Sequence, residues 1–246
     1  MRTPERTNVR HLVVCCERDG PILNSGPFFG ADKDWKDNLR IARKAIKGIK
    51  KINSVRRSHF YITVNEPGIA VVDGKYGALT RERVDSVNKH LNLMLKNGRA
   101  EVNGFIVNPY ITKVQADEIR NEGMEVREDH VLEEKIAGIP QDVGSINKVL
   151  QRLGFYEAEE MPFLYVVGTR LEYVKAGLRA GGAGVIIGKE GEFRRLVDNL
   201  RDKYRVGGQN ANVYVAEDFV SAGRHIKTEV EGLRRKETDR TLERVS

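Results

Sequence analysis

The chain has 246 residues, 42 Lys and Arg against 35 Asp and Glu for a net charge of +7, 40% hydrophobic and 31% charged residues. That length supplies core for one large domain or two small ones, and its two cysteines, the adjacent Cys15 and Cys16, exclude a disulfide-stapled mini-protein. No apolar run is long enough to span a bilayer, and the first ten residues lack the apolar segment of a secretory leader, so a cytoplasmic protein with no membrane partner is expected.

The charge is unevenly spread. Residues 1–57 hold 14 basic and 6 acidic side chains, a net of +8, while the remainder hold 28 and 29. Residues 1–10 read as a basic arm. Residues 11–16 (HLVVCC) predict the first strand, followed by a Gly/Pro-rich loop through Gly30. From 33 to 57, Lys33, Lys36, Arg40, Lys44, Lys47 and Lys51 recur every three or four residues, and Trp35, Leu39, Ala42, Ile46 and Ile49 do the same on another face. This predicts an amphipathic helix with a basic side. Lys44, Lys47 and Lys51 are its candidates for contact with a polyanion; a solvated helix face is the plainer reading.

Residues 59–65 (HFYITVN) predict a second strand and residues 80–97 a second helix, with Thr80 as N-cap. Residues 102–108 (VNGFIVN) predict a third strand, and a polar, helix-rich stretch runs from Thr112 to about Gly138. After it, helices are expected at 144–153, 171–180, 192–204 and 217–235, with strands at 163–167 (FLYVV), 184–187 (GVII) and 212–215 (NVYV). Strands alternating with helices mean βαβ units, and nearly continuous apolar strand cores mean burial on both faces. The expected fold is α/β, a doubly wound, mostly parallel Rossmann-like sheet over residues 11–235, with a charged tail at 236–246.

Open parallel sheets bind ligands at the carboxyl ends of their strands. There the chain places Glu17-Arg18-Asp19-Gly20, two acids beside a turn glycine, which in isolation suit a solvated loop as well as a site. Residues 17–23 (ERDGPIL) after an apolar strand resemble the DxDGT signature of the haloacid dehalogenase superfamily. Val64-Asn65-Glu66-Pro67-Gly68-Ile69-Ala70 resembles the TNQSGIA segment of its histidinol-phosphate and heptose-bisphosphate phosphatase branch. The helix from Leu79-Thr80 through His90 and Leu91 is similar to that branch's next element, and Val102-Asn103-Gly104-Phe105 with Pro109-Tyr110 to its third strand. Val167-Gly168-Thr169-Arg170, followed by residues 176–181 (AGLRAG), resembles VGDRxxD…AGxxAG. The ordered set spans roughly residues 11–190 and implies a fold without a large cap domain.

The resemblance implies phosphoester hydrolysis through an aspartyl-phosphate, with Mg²⁺ holding the phosphate. It places the nucleophile on Glu17 and the general acid on Asp19, and the metal ligands on Glu17, Asp19 and Thr169, with Glu172 nearby but out of register. Asn65 and Lys135 are the phosphate-binding candidates. Departures are many. Glutamate moves the attacking oxygen by about an ångström, a displacement able to cost on the order of 10²-fold. Pro21 stands for the threonine, Val64 for the phosphoryl-binding hydroxyl, Thr169 and Tyr173 for the two acids of the last motif, and residues 110–127 lack the Cys and His of the branch's zinc loop. Phosphoryl transfer depends on positioning and charge neutralisation. The expected function is therefore that of a catalytically impaired phosphatase homologue that binds a phosphorylated small molecule or nucleotide, or scaffolds a protein partner. The runner-up is an active Mg²⁺-dependent phosphomonoesterase. The oligomeric state is left open.

A third reading makes the chain nucleic-acid-associated. Gly188-Lys189-Glu190-Gly191 resembles the GxxG loop of KH domains, and Lys189 would join the basic helix in contacting phosphates. Against it, Arg194 stands where that loop expects an apolar residue, and residues 185–187 serve as a strand. The five histidines show no ligand spacing, and no G-x-S-x-G elbow or Walker A loop is present.

Overall fold

A computed structural model describes residues 9–24, 29–72, 74–132, 141–204 and 212–243. In chain order the elements are β1 (Leu12–Glu17), α1 (Trp35–Asn38), α2 (Ala45–Asn53), β2 (Ser58–Asn65), α3 (Arg81–Asn97), β3 (Gly104–Asn108), β4 (Ile111–Thr112), α4 (Lys113–Asn121), β5 (Val131–Leu132), α5 (Gln141–Arg152), β6 (Phe163–Gly168), α6 (Leu171–Arg179), β7 (Ala183–Ile187), α7 (Glu190–Lys203), β8 (Val213–Ala216) and α8 (Phe219–Glu243). Six strands form one sheet in the order β3-β2-β1-β6-β7-β8, every neighbouring pair parallel. The doubly wound α/β expectation holds. Each strand lies within two residues of its expected bounds.

Both faces of the sheet are covered, which is why β1 and β6 are buried along their whole length. Strand alternation divides the core. Leu12, Val14 and Cys16 pack on one face with Ile49 and Ile52 of α2, Leu91 and Leu95 of α3, and Ile226 and Val230 of α8. Val13 and Cys15 pack on the other with Ile146 and Val149 of α5 and Tyr173 and Ala176 of α6, and α7 extends that layer through Val197 and Leu200. The chain winds outward from β1 through β2 to β3, then returns to β6 on β1's other side. The strand order reverses beside β1, the place at whose carboxyl edge open parallel sheets take their ligands.

Two helix expectations differ from the structure. The basic segment 33–57 is not one helix. Lys44 takes a left-handed φ of 75°, and Ile41 pairs with Leu23 in an antiparallel bridge while the Ala42 N–H donates to the Ile22 carbonyl at 2.8 Å. Backbone pairing to the loop after β1 thus captures residues 40–42 and leaves α1 and α2 as separate pieces. At the other end α8 continues to Glu243, through most of the stretch expected as a charged tail; Glu237 on it pairs with Arg10 at 3.2 Å. Of the basic arm, residues 1–8 lie outside the described residues.

α2 and α8 cross at very close range because glycines meet there. A Cβ on Gly48 would lie 2.2 Å from the Phe219 carbonyl oxygen, and one on Gly223 would lie 2.6 Å from the Gly48 oxygen. Between β3 and α5 the chain forms a small parallel pair, β4 and β5, with α4 packed on it through Ala116 and Ile119. A capping box starts α4, with Thr112 and Gln115 bonding each other's backbone N–H.

Candidate functional site

The end of β1 delivers charge to both faces of the sheet. Glu17 has the parity of Val13 and Cys15, so its carboxylate passes to the α6 side. There Oε2 accepts from the Thr169 backbone N–H at 3.0 Å and lies 3.5 Å from the Thr169 hydroxyl, while Oε1 accepts from Arg170 Nε. Close packing fixes the carboxylate, since a Cβ at Gly168 would come within 2.8 Å of its Oε2. Arg170 is 44% exposed, so this ion pair is reachable from solvent.

Arg18 has the parity of Leu12, Val14 and Cys16, and its side chain is fully buried. Its fork grips Asp19, Nε to Oδ1 and Nη2 to Oδ2, both at 3.0 Å. Nη2 also donates to Glu66 Oε2 at 2.9 Å, and Nη1 reaches Asn88 Oδ1 at 3.4 Å. Burial works against the guanidinium's charge, but Asp19 and Glu66 outweigh it and hold Arg18 above its ordinary value. Burial pushes the Glu66 carboxyl up to about 7, with Arg18 opposing and Asp19 adding to the shift. Glu66 Oε1 and Asn88 Nδ2 are buried without a hydrogen-bond partner among the described residues.

Gly20 closes the loop over this pair of sites. Its φ is +96°, its N–H donates to the Leu23 carbonyl at 2.9 Å, and a Cβ there would sit 2.7 Å from the Thr169 hydroxyl. The turn needs glycine on both counts. Thr63 stands at the end of β2 on the Glu17 face, and its hydroxyl bonds the Cys16 carbonyl and the Tyr173 hydroxyl. Val64 points to the opposite face into the core. Tyr173 is fully buried beneath Gly168, and burial holds its hydroxyl well above the usual phenol range.

Glu17 and Thr169 therefore meet at the carboxyl edge of β1 and β6, while Asp19 turns to the buried fork of Arg18. Asn65 stands at the same edge, its Oδ1 accepting from Asn108 Nδ2 at 3.2 Å. Glu172 does not join them: its side chain is 70% exposed on the first turn of α6 and pairs with Lys175. Lys135 lies outside the described residues. Of the polyanion candidates, Lys44 pairs with Asp218 at 2.6 Å, Lys47 is exposed and Lys51 half-buried. Lys189 is exposed at the β7–α7 connection, where Phe193 packs against Gly188. α2 and α7 cover opposite faces of the sheet, so the basic segment and the 188–191 turn belong to separate helix layers. Sequence reasoning missed Arg18, Glu66, Asn88 and Arg170. The strand parity of Arg18 was the available signal.

Mg²⁺ fits this donor set poorly. The ion demands near-octahedral oxygen ligation at about 2.0–2.1 Å. Glu17 and Asp19 are each held by a guanidinium, Thr169 offers a neutral oxygen, and among the described residues no three His, Cys, Asp or Glu gather to hold a metal.

No family model matches the chain, and no curated protein sequence matches it. Among solved structures, the D,D-heptose 1,7-bisphosphate phosphatase from B. bronchiseptica, complexed with magnesium and phosphate, superposes with a TM-score of 0.57 at 15% identity, over 89% of this chain and 99% of that one. An L-2-haloacid dehalogenase aligns with a TM-score of 0.37 at 12% identity, over 78% of this chain and 60% of that one, too loosely to bear on the fold. The chain shares the fold of that heptose-bisphosphate phosphatase, the fold that the ordered motifs implied. No helix among the described residues is long and apolar enough to cross a membrane.

Proposed function

We propose that this chain binds a phosphorylated small molecule at the carboxyl edge of β1 and β6 and does not turn it over efficiently. The observation that carries the reading is the state of Glu17. The residue at the nucleophile's place is a glutamate whose two carboxylate oxygens are occupied, one by the Thr169 N–H and the other by Arg170. An in-line attack on phosphorus needs one of those oxygens aimed at the phosphoryl group. Here the hydrogen bonds aim them at the protein, with Oε2 lying over the side-chain-free backbone of Gly168.

The same crevice keeps what anion binding requires. Arg170 is within solvent reach, the Asn65–Asn108 amide pair lies at the ends of β2 and β3, and the Gly20 turn borders Thr169. Guanidinium and amide donors at the end of a parallel sheet suit a phosphate group. Cys15 and Cys16 are buried free thiols, which accords with a cytoplasmic setting.

Two measurements test the reading together. Titration calorimetry with inorganic phosphate is expected to show saturable binding. Incubation with p-nitrophenyl phosphate and Mg²⁺ is expected to release nitrophenol no faster than the Glu17→Gln variant does. Hydrolysis that disappears in both Glu17→Gln and Asp19→Asn would overturn the proposal and establish the phosphomonoesterase instead.

A further inference from the structure

The carboxylates at the end of β1 already have resident cations. Two carboxylates arrive at the end of β1, and each is met by an arginine from a neighbouring position in sequence or space. Arg18 takes both oxygens of Asp19 at 3.0 Å, and Arg170 takes Oε1 of Glu17. Asp19, which the resemblance makes a metal ligand, keeps a side-chain exposure of 26%, yet its oxygens face the buried fork of Arg18. Guanidinium stays protonated at any accessible pH and matches carboxylate or phosphate bidentately. A divalent cation entering here would have to displace both arginines, one of them buried with no route to water. Coulomb repulsion between the ion and two fixed guanidinium groups adds to that cost.

We propose that Arg170 and Arg18 supply in this chain the positive charge that a divalent metal supplies at such a crevice, so that a phosphate group binds without metal and Arg170 touches it directly. The inference rests on the reading that the crevice takes a phosphate. Arg18 acts as a positioning residue: it neutralises Asp19 and thereby lowers the repulsion a phosphate dianion would meet. Arg170 is the contact residue, pre-oriented by Glu17 at the end of β1 and by its place directly after Thr169. In this arrangement Glu17 no longer serves as a nucleophile; it anchors the guanidinium that meets the ligand.

The test uses the full chain with inorganic phosphate as anion and Mn²⁺ as a paramagnetic stand-in for Mg²⁺. Phosphate affinity is expected to agree within twofold between buffer containing EDTA and buffer containing Mg²⁺. Arg170→Gln is expected to weaken phosphate binding tenfold or more, and Arg170→Lys less, with circular dichroism confirming that both variants fold. Phosphate binding that vanishes in EDTA and returns with Mg²⁺ overturns the inference, as does Arg170→Gln binding phosphate like the wild type. If phosphate binds under neither condition, the functional reading fails, and water-proton relaxation by Mn²⁺ still decides the arginine substitution. Mn²⁺ bound by the wild type and lost in Glu17→Gln overturns it. Mn²⁺ bound by the Thr169→Asp, Arg170→Gln double variant but not by Thr169→Asp alone supports it.

Discussion

Glu17 and Arg18 are consecutive residues, and the two ion pairs they build differ in almost every physical respect. Glu17 turns to the α6 face and meets Arg170, whose guanidinium is 44% exposed. Arg18 turns to the α3 face and meets Asp19, Glu66 and Asn88 with no exposure of its own. Strand alternation turns Glu17, itself only 7% exposed, toward an arginine that reaches solvent, and Arg18 toward partners sealed inside. The first pair is exchangeable on one side, because water or a ligand can reach Arg170 while Glu17 stays buried. The sealed Arg18–Glu66 pair is not, because removing either leaves an ionisable partner buried without its counter-charge. A ligand site and a structural linchpin thus occupy adjacent positions at the end of one strand.

The largest effect expected from that contrast follows removal of the sealed cation. Arg18→Met leaves Asp19 and buried Glu66 without their partner and should cost about 3–5 kcal/mol, read from urea unfolding. Adding Glu66→Gln should recover part of the loss, since one of the stranded charges disappears. If Arg18→Met unfolds at the same urea concentration as the wild type, the cluster is not the linchpin described.

Next comes pH. The Glu66 carboxyl lies at about 7 in the folded protein against an ordinary 4.5, so the folded state holds a proton that the unfolded chain releases between those values. Its contribution is complete below about 4.5 and is lost as pH rises through about 7, on the order of 3 kcal/mol in all. Unfolding of the wild type at pH 5 and pH 8, compared with Glu66→Gln, should show a fall with rising pH that the variant flattens. A wild type that gains stability relative to the variant over this range would contradict the assignment.

The smallest effect belongs to the exposed pair. Arg170→Gln should cost less stability than Arg18→Met, because Arg170 is 44% exposed and the Thr169 N–H still meets the Glu17 carboxylate. Its consequence should appear in ligand binding instead. A stability loss as large as that of Arg18→Met would erase the contrast between the two faces.

The sheet was legible in the sequence because apolar strands bounded by turn residues admit few other placements. The basic segment was not, since its three- and four-residue spacing continues unbroken through Arg40 and Lys44. Only the pairing of Ile41 with Leu23, a contact made across the first loop, reveals why the helix breaks there. At the site, Glu17, Asp19 and Thr169 were visible as carboxyl-edge positions. Arg18 and Arg170 were passed over because an arginine in a loop is ordinarily solvated, and a linear motif does not say which carboxylates have already found a cation. Glu172 illustrates the converse: near in sequence, it starts α6 with its side chain outward and satisfies itself on Lys175.

The close crossing of α2 and α8 has a temporal side. Gly48 and Gly223 touch across nearly the whole length of the chain, and β1 needs β6 as its second neighbour. During synthesis from the amino end, β1 and β2 can pair early, yet β1 keeps a bare hydrogen-bonding edge until residues 163–168 emerge, and α2 keeps an uncovered apolar side until α8 follows. Non-local closure of this kind is slow, and unpaired strand edges invite pairing with other chains. The nascent chain must therefore expose the free edge of β1 from the time β1 and β2 pair until β6 emerges.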